Sequence, residues 1–198
     1  MNDRLKQFLI LGFTIVYVVF FTIFGLIRKD YAFLYNTVII VFVGCLIFAF
    51  KNNVVLKNNS LFGLSLLGFF HFFGGNIYFN SIRIYDTWFF NGLFRYDNFM
   101  HLFGIFIVAL ICYDLILPSL KKKTEKHHFY FGLIIILISV GVGAFNEIIE
   151  LIAVIFFGAA EQIGDYMNNA LDILYNFIGA ILATIFIFWH EKKYKQIK

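Results

Sequence analysis

Charged residues are scarce in this 198-residue chain, and hydrophobic residues are in excess. Charged residues make up 14% of the chain and hydrophobic residues 61%. Soluble domains have about 25% charged and about 45–50% apolar residues. Because the excess is arranged in long blocks, the composition indicates one helical membrane domain rather than a soluble protein.

Cysteine is also rare, since the chain has only Cys45 and Cys112, and both fall within apolar runs. There is no CxxC pair, so the sequence indicates neither a disulfide framework nor a zinc ribbon. The basic residues flank hydrophobic segments, where membrane topology already explains them. Nucleic acid is therefore not expected as a partner, whereas the lipid bilayer is.

Six apolar runs have about the length that a helix needs to cross a bilayer. They lie at residues 8–27, 33–50, 61–79, 99–117, 129–157 and 169–189. We predict an all-α fold, a polytopic transmembrane helix bundle of about six spans that forms a single domain over residues 1–198. The fifth run is long enough to tilt, or to break near Gly141 and Gly143. Segment 80–96 carries Trp88 and several Phe and Tyr residues, so we interpret it as a re-entrant or an interfacial connection.

The positions of lysine and arginine orient this bundle. Six spans place both termini on one side, and 12 of the 16 basic residues fall on that side, among them the cluster Lys121–Lys126 and the C-terminal tail. The positive-inside rule then predicts that both termini are cytoplasmic, in the cytoplasmic (inner) membrane.

Polar residues gather near the outward ends of four predicted spans. Asp97 and His101 are four residues apart, and Glu147 and Glu150 are three apart, so each pair shares one face of a helix. Asp172 lies in the first turns of the sixth span. The predicted pocket residues from these spans and their connections are His71, Asn76, Tyr78, Arg95, Asn98 and Asn176. We expect one polar cavity that is open to the extracytoplasmic side.

The charge in such a cavity limits its chemistry, because neighbouring carboxylates in a low dielectric cannot all be ionised. Shared protons, ion pairs with Arg95 and histidine, or a bound divalent metal ion would each relieve the repulsion. Under the metal hypothesis the ligands come from Asp97, His101, Glu147, Glu150 and Asp172. The candidate catalytic residues are His101, Glu147, Glu150 and Asp97, with His101 or a glutamate as general base.

Four short motifs follow one another between residues 61 and 183. They are His71-Phe-Phe-Gly74-Gly75-Asn-Ile-Tyr78, Arg95-Tyr-Asp97-Asn98-Phe-Met-His101, Glu147-Ile-Ile-Glu150, and Gly164-Asp165 followed by Asp172-Ile-Leu-Tyr-Asn176-Phe-Ile-Gly179-Ala180. The set resembles the YjdF-like inner-membrane proteins, a family of uncharacterised function. The last three motifs also resemble the VanZ-like family, which is associated with glycopeptide tolerance and the cell envelope. The resemblance implies a multi-pass membrane protein and names no reaction.

Three functions fit these observations. The first is a membrane enzyme that acts on a lipid or a lipid-linked envelope molecule, with carboxylates that hold a cation or polarise water. The second is a transporter or binder of a small solute or lipid, because intramembrane acids and histidines line such paths. The third is a structural membrane protein whose polar side chains lock helices together.

Overall fold

The computed structural model describes residues 2–28, 56–117, 128–157 and 166–197. The chain divides into two compact units, Met1–Tyr96 and Asp97–Lys198. The described helices are α1 (Asp3–Arg28), α2 (Asn58–Asn76), α3 (Tyr96–Ile116), α4 (His128–Phe157) and α5 (Tyr166–Ile197). Four short strands lie between α2 and α3: β1 (Tyr78–Phe79), β2 (Ile82–Arg83), β3 (Trp88–Phe90) and β4 (Phe94–Arg95).

Four of the described helices are long and apolar enough to cross a membrane. They are Asp3–Arg28, Tyr96–Ile116, Phe129–Phe156 and Tyr166–His190, and they correspond to the first, fourth, fifth and sixth predicted spans. The second predicted span, 33–50, lies outside the described residues. The third, 61–79, coincides with α2, which ends at Asn76 and is not among the four. The helical membrane character is thus confirmed, whereas the count of six spans and the direction of the termini are not.

In the first unit, α1 and α2 pack along a face lined with aromatic and small residues. Tyr17, Phe21 and Phe72 form its buried core, and the rings of Phe21 and Phe72 stack with centroids 5.7 Å apart. The hydroxyls of Thr14 and Ser65 join the two helices through a 2.6 Å hydrogen bond. Small buried residues on α2 let the backbones approach closely, as in other membrane helix pairs.

Two β-hairpins occupy most of residues 78–95, and they overlap the end of the third predicted span, 61–79, and the predicted re-entrant or interfacial connection, 80–96. Strands β1 and β2 are joined by Asn80 and Ser81, with φ values of 49° and 65°. Two successive left-handed residues are typical of the tight turn that matches the twist of a hairpin. Strands β3 and β4 pair antiparallel with Gly92, φ 76°, in their loop. These short strands, which the sequence did not predict, are an addition to a structure that is otherwise helical.

In the second unit, α3, α4 and α5 share one hydrophobic core. Its buried residues are Ala109, Tyr113, Phe131, Ile135, Ala183 and Ile187. A Cβ atom built on Gly179 of α5 would overlap the backbone carbonyl of Leu102 on α3, so only glycine permits this approach. Helix α4 continues through Gly141 and Gly143, so the predicted break there is wrong.

Candidate functional site

His101, in the second turn of α3, lies among carboxylates from all three helices of the second unit. Its Nε2 atom lies 3.7 Å from Oδ1 of Asp97, four residues earlier on the same helix, and 3.7 Å from Oδ1 of Asp172 on α5. Its Nδ1 atom lies 3.6 Å from Oε1 of Glu147 on α4. The structure thus brings together the acids that the sequence placed on three separate spans.

The two distances on the Nε2 side of His101 suit a shared cation better than direct hydrogen bonds. A hydrogen bond between nitrogen and oxygen spans about 2.7–3.2 Å, which is shorter than all three separations. Two ligands that each lie about 2.1 Å from one metal ion can be up to about 4.2 Å apart. Asp97, His101 and Asp172 form one group whose ligand atoms lie within 4.8 Å of one another, and His101, Glu147 and Glu150 form a second.

Asp172 is fully buried and is held by two amide groups. The Nδ2 atom of Asn98 on α3 donates to Oδ1 at 2.8 Å, and the Nδ2 atom of Asn168 on α5 donates to Oδ2 at 2.9 Å. Hydrogen bonds of this kind fix the orientation of a carboxylate that ligates a metal. Asn98 was predicted as a pocket residue from the sequence and Asn168 was not, although its spacing of four residues to Asp172 places both on one helix face.

The two glutamates of α4 have different surroundings. Glu150 is half-buried and accepts a 2.8 Å hydrogen bond from Nδ2 of Asn146. Glu147 is only 9% exposed, and neither of its carboxylate oxygens has a hydrogen-bond partner among the described residues. A buried carboxylate without a hydrogen bond is costly, so Glu147 is the acid for which a ligand or a proton would make the largest difference.

Asn176 lies one turn after Asp172 on α5 and packs against α4. A Cβ atom built on Gly143 would lie 2.7 Å from Nδ2 of Asn176 and 2.9 Å from its Cγ atom. The absence of a side chain at Gly143 therefore makes room for the amide of Asn176. Gly143 lies one turn before Glu147 on α4. Asn176 therefore extends the polar interface of α4 and α5 by one turn from the carboxylates towards the middle of both helices.

The other predicted pocket residues belong to the first unit. Asn76 is buried, and its Nδ2 atom donates to the carbonyl of Phe72 within its own helix at 2.8 Å. The ring of His71 meets that of Tyr85 edge-on, with centroids 5.6 Å apart. The guanidinium groups of two arginines cover aromatic rings: Arg28 lies over Tyr78 at 4.8 Å, and Arg95 lies over Trp88 at 5.8 Å. Their place in a common pocket with His101 stays a prediction.

A comparison with protein families found a match that covers almost the whole chain. A family model described as "Predicted membrane protein (DUF2238)" matches residues 9–193. No curated protein and no solved structure matches the chain. The match is consistent with the YjdF-like resemblance, whereas the likeness to VanZ-like proteins stays a prediction.

Proposed function

The chain belongs to the DUF2238 family of membrane proteins, and on that premise we propose that its second unit binds a divalent cation and uses it to hydrolyse a phosphoester in a lipid or lipid-linked envelope molecule. One observation carries the proposal: the Nε2 atom of His101 lies 3.7 Å from a carboxylate oxygen of Asp97 and 3.7 Å from a carboxylate oxygen of Asp172. Imidazole and carboxylate ligands together suit Zn²⁺ or Mn²⁺.

Asp97, His101 and Asp172 would hold the cation, on the Nε2 side of the His101 ring. Hydrogen bonds from Asn98 and Asn168 already orient Asp172 for this role. A cation at this position would lower the pKa of a bound water and stabilise charge on a phosphoryl oxygen. It also relieves the repulsion among the buried acids, because two positive charges offset two of the carboxylates.

Glu147 serves as the general base, since it is buried next to His101 and makes no hydrogen bond within the described ranges. It takes a proton from the attacking water, whose oxygen forms a bond to phosphorus. The bond from phosphorus to the leaving oxygen breaks, and that oxygen keeps the electron pair and receives the proton from Glu147. Atoms and charge balance with water as the second reactant.

The topology that fits this function is the six-span arrangement with both termini cytoplasmic. Asp97 and His101 are at the start of α3, and Asp172 is near the start of α5. Under the positive-inside orientation these helix starts face the extracytoplasmic side. The substrate would therefore come from the outer leaflet.

A metal-binding experiment tests the cation site. The full chain, purified in detergent and freed of metal, is titrated with Mn²⁺ or Zn²⁺ by calorimetry, and bound metal is counted by mass spectrometry. We expect about one cation per chain, and an affinity about 100-fold or more lower in His101→Ala, because a direct ligand is lost. The matched control is His190→Ala, near the far end of α5, which should bind like the wild type.

A second measurement tests the reaction. Wild-type protein is mixed with phosphatidylglycerol vesicles, and the lipid products are identified by mass spectrometry with and without the cation. Cation-dependent release of the headgroup supports the proposal. Absence of cation binding, or of cation-dependent lipid turnover, in the wild type would falsify it.

A structural lock between helices is the second candidate, favoured by the hydrogen bond from Asn98 on α3 to Asp172 on α5. Such a lock needs no cation, and it predicts that Asp172→Asn lowers stability only. A wild-type protein that binds no metal, yet is destabilised by Asp172→Asn, would support this alternative.

A further inference from the structure

The side chain of Asn176 is a buried polar group with no use in the chemistry described so far. It is 1% exposed, and neither Nδ2 nor Oδ1 has a hydrogen-bond partner in the part of the chain that the structure describes. More than nine in ten buried polar groups of proteins are hydrogen-bonded. A buried Nδ2 donor without an acceptor, one turn from a polar site, therefore points to a ligand that supplies an acceptor oxygen.

The position of Asn176 relative to the carboxylates is fixed by two helices. On α5 it follows Asp172 by four residues, which is about 6 Å along the helix axis. On α4 its contact, Gly143, precedes Glu147 by four residues. On both helices the amide lies on the side of the acids that faces the middle of the helix. Asn176 is therefore one helical turn farther from the helix ends than Asp172 and Glu147.

We propose that Asn176 binds a neutral ester carbonyl of a glycerolipid whose phosphate is bound at the cation site. This inference rests on the proposed function and narrows its substrate class. A carboxamide has N–H donors and no charge, so it suits a neutral acceptor oxygen better than a second phosphate. In a glycerolipid the ester carbonyls lie deeper in the bilayer than the phosphate, in the same order as Asn176 and the acids. A polyprenyl phosphate has no such carbonyl.

Lipid competition tests the proposal without relying on turnover. The full chain, in detergent with Mn²⁺, is offered equal amounts of dioleoyl phosphatidylglycerol and its diether analogue, which lacks both carbonyls. Native mass spectrometry gives the ratio of the two bound lipids. We expect the wild type to prefer the diacyl lipid by roughly threefold to tenfold, as one net hydrogen bond predicts. A ratio near one would overturn the proposal.

Two glycines of α4 provide a matched pair of variants. Gly143→Ala places a methyl group against the amide of Asn176, whereas a Cβ atom at Gly141 meets nothing within 4 Å. We expect Gly143→Ala and Asn176→Ala to bring the lipid ratio close to one, and Gly141→Ala to leave it as in the wild type. A ratio that is unchanged in Asn176→Ala would contradict the inference.

These outcomes remain separate from those of the proposed function. The wild-type ratio needs no variant, so misfolding of Gly143→Ala does not leave the inference untested. If the wild type binds the cation and hydrolyses phosphatidylglycerol but shows no preference for esters, the carbonyl contact is wrong and the proposed function stands. If the wild type binds no cation at all, the proposed function itself fails.

Discussion

The Nδ1 atom of His101 on α3 lies 3.6 Å from the Oε1 atom of Glu147 on α4. This separation exceeds that of a hydrogen bond, so Glu147 contributes little to the orientation of the ring and is free to accept a proton. We expect Glu147→Gln to lower the rate of lipid hydrolysis about 10²- to 10⁴-fold, because the general base is lost. The cation affinity should change by less than about tenfold.

Glu150→Gln is the control for that experiment. The carboxylate of Glu150 is half-buried and already accepts a hydrogen bond from Asn146, so the neutral amide can replace it at small cost. Rates and cation affinities of both variants are measured side by side at saturating cation. A larger loss of rate in Glu150→Gln than in Glu147→Gln would reverse the roles assigned to the two acids.

Asn98→Ala tests the support of Asp172. The variant removes the 2.8 Å hydrogen bond from a fully buried amide and leaves Oδ1 of Asp172 with one donor fewer. We expect the cation affinity to fall about 10- to 100-fold and the free energy of unfolding to fall by about 1–3 kcal/mol. Calorimetry and thermal unfolding in detergent measure the two effects.

Asn146→Ala is matched to that change, because it also removes an amide that donates to a carboxylate, but at an exposed position. Its effect on stability should stay within about 0.5 kcal/mol. Equal destabilisation by the two variants would mean that burial of the Asn98–Asp172 pair does not increase its contribution to the free energy of unfolding.

Gly179→Ala tests the close approach of α3 and α5. The added methyl group would overlap the carbonyl of Leu102, which is backbone and cannot turn away. We expect the free energy of unfolding to fall by about 1–3 kcal/mol, as in other overpacked cores. Gly141→Ala adds the same methyl group in open space on α4 and should leave stability unchanged or raise it by about 0.5–1 kcal/mol. Thermal unfolding of the two variants gives the comparison.

Trp88, in strand β3, reports where the hairpins lie in the membrane. The chain has two tryptophans, so Trp189→Phe leaves Trp88 as the single fluorophore. The exposed Phe79 and Phe90 of the same hairpins favour the boundary between headgroups and acyl chains. We expect lipids brominated near the glycerol to quench Trp88 more strongly than lipids brominated near the chain ends. Stronger quenching by the deep bromines would support a re-entrant segment.

The sequence predicted the apolar helices because a run of about 20 hydrophobic residues is typical of a membrane-spanning helix and of few other structures. It also predicted that Asp97, His101, Glu147 and Asp172 lie close together. Helical spacing places Asp97 and His101 on one helix face, and the predicted topology places all four residues near the same side of the membrane. In the structure one carboxylate oxygen of each of the three acids lies 3.6–3.7 Å from a ring nitrogen of His101, while the function of this group stays a prediction.

The hairpins were not predictable from the same signals. Their strands are two or three residues long, too short for an alternating pattern, and aromatic residues occupy both faces. The contact of Gly143 with Asn176 could not be predicted either, since spacing within one helix does not give the register between two helices.

The contact of the Leu102 carbonyl with Gly179 limits how far α5 can rotate against α3. Leu102 adjoins His101, so this close contact between α3 and α5 lies directly beside the acidic site. If α5 turned about its long axis, Ile178 or Ala180 would replace Gly179 at the contact, and either side chain would collide with the carbonyl. Twisting of α5 against α3 is therefore blocked, so the positions of His101 on α3 and Asp172 on α5 relative to each other are fixed by backbone contact as well as by side chains.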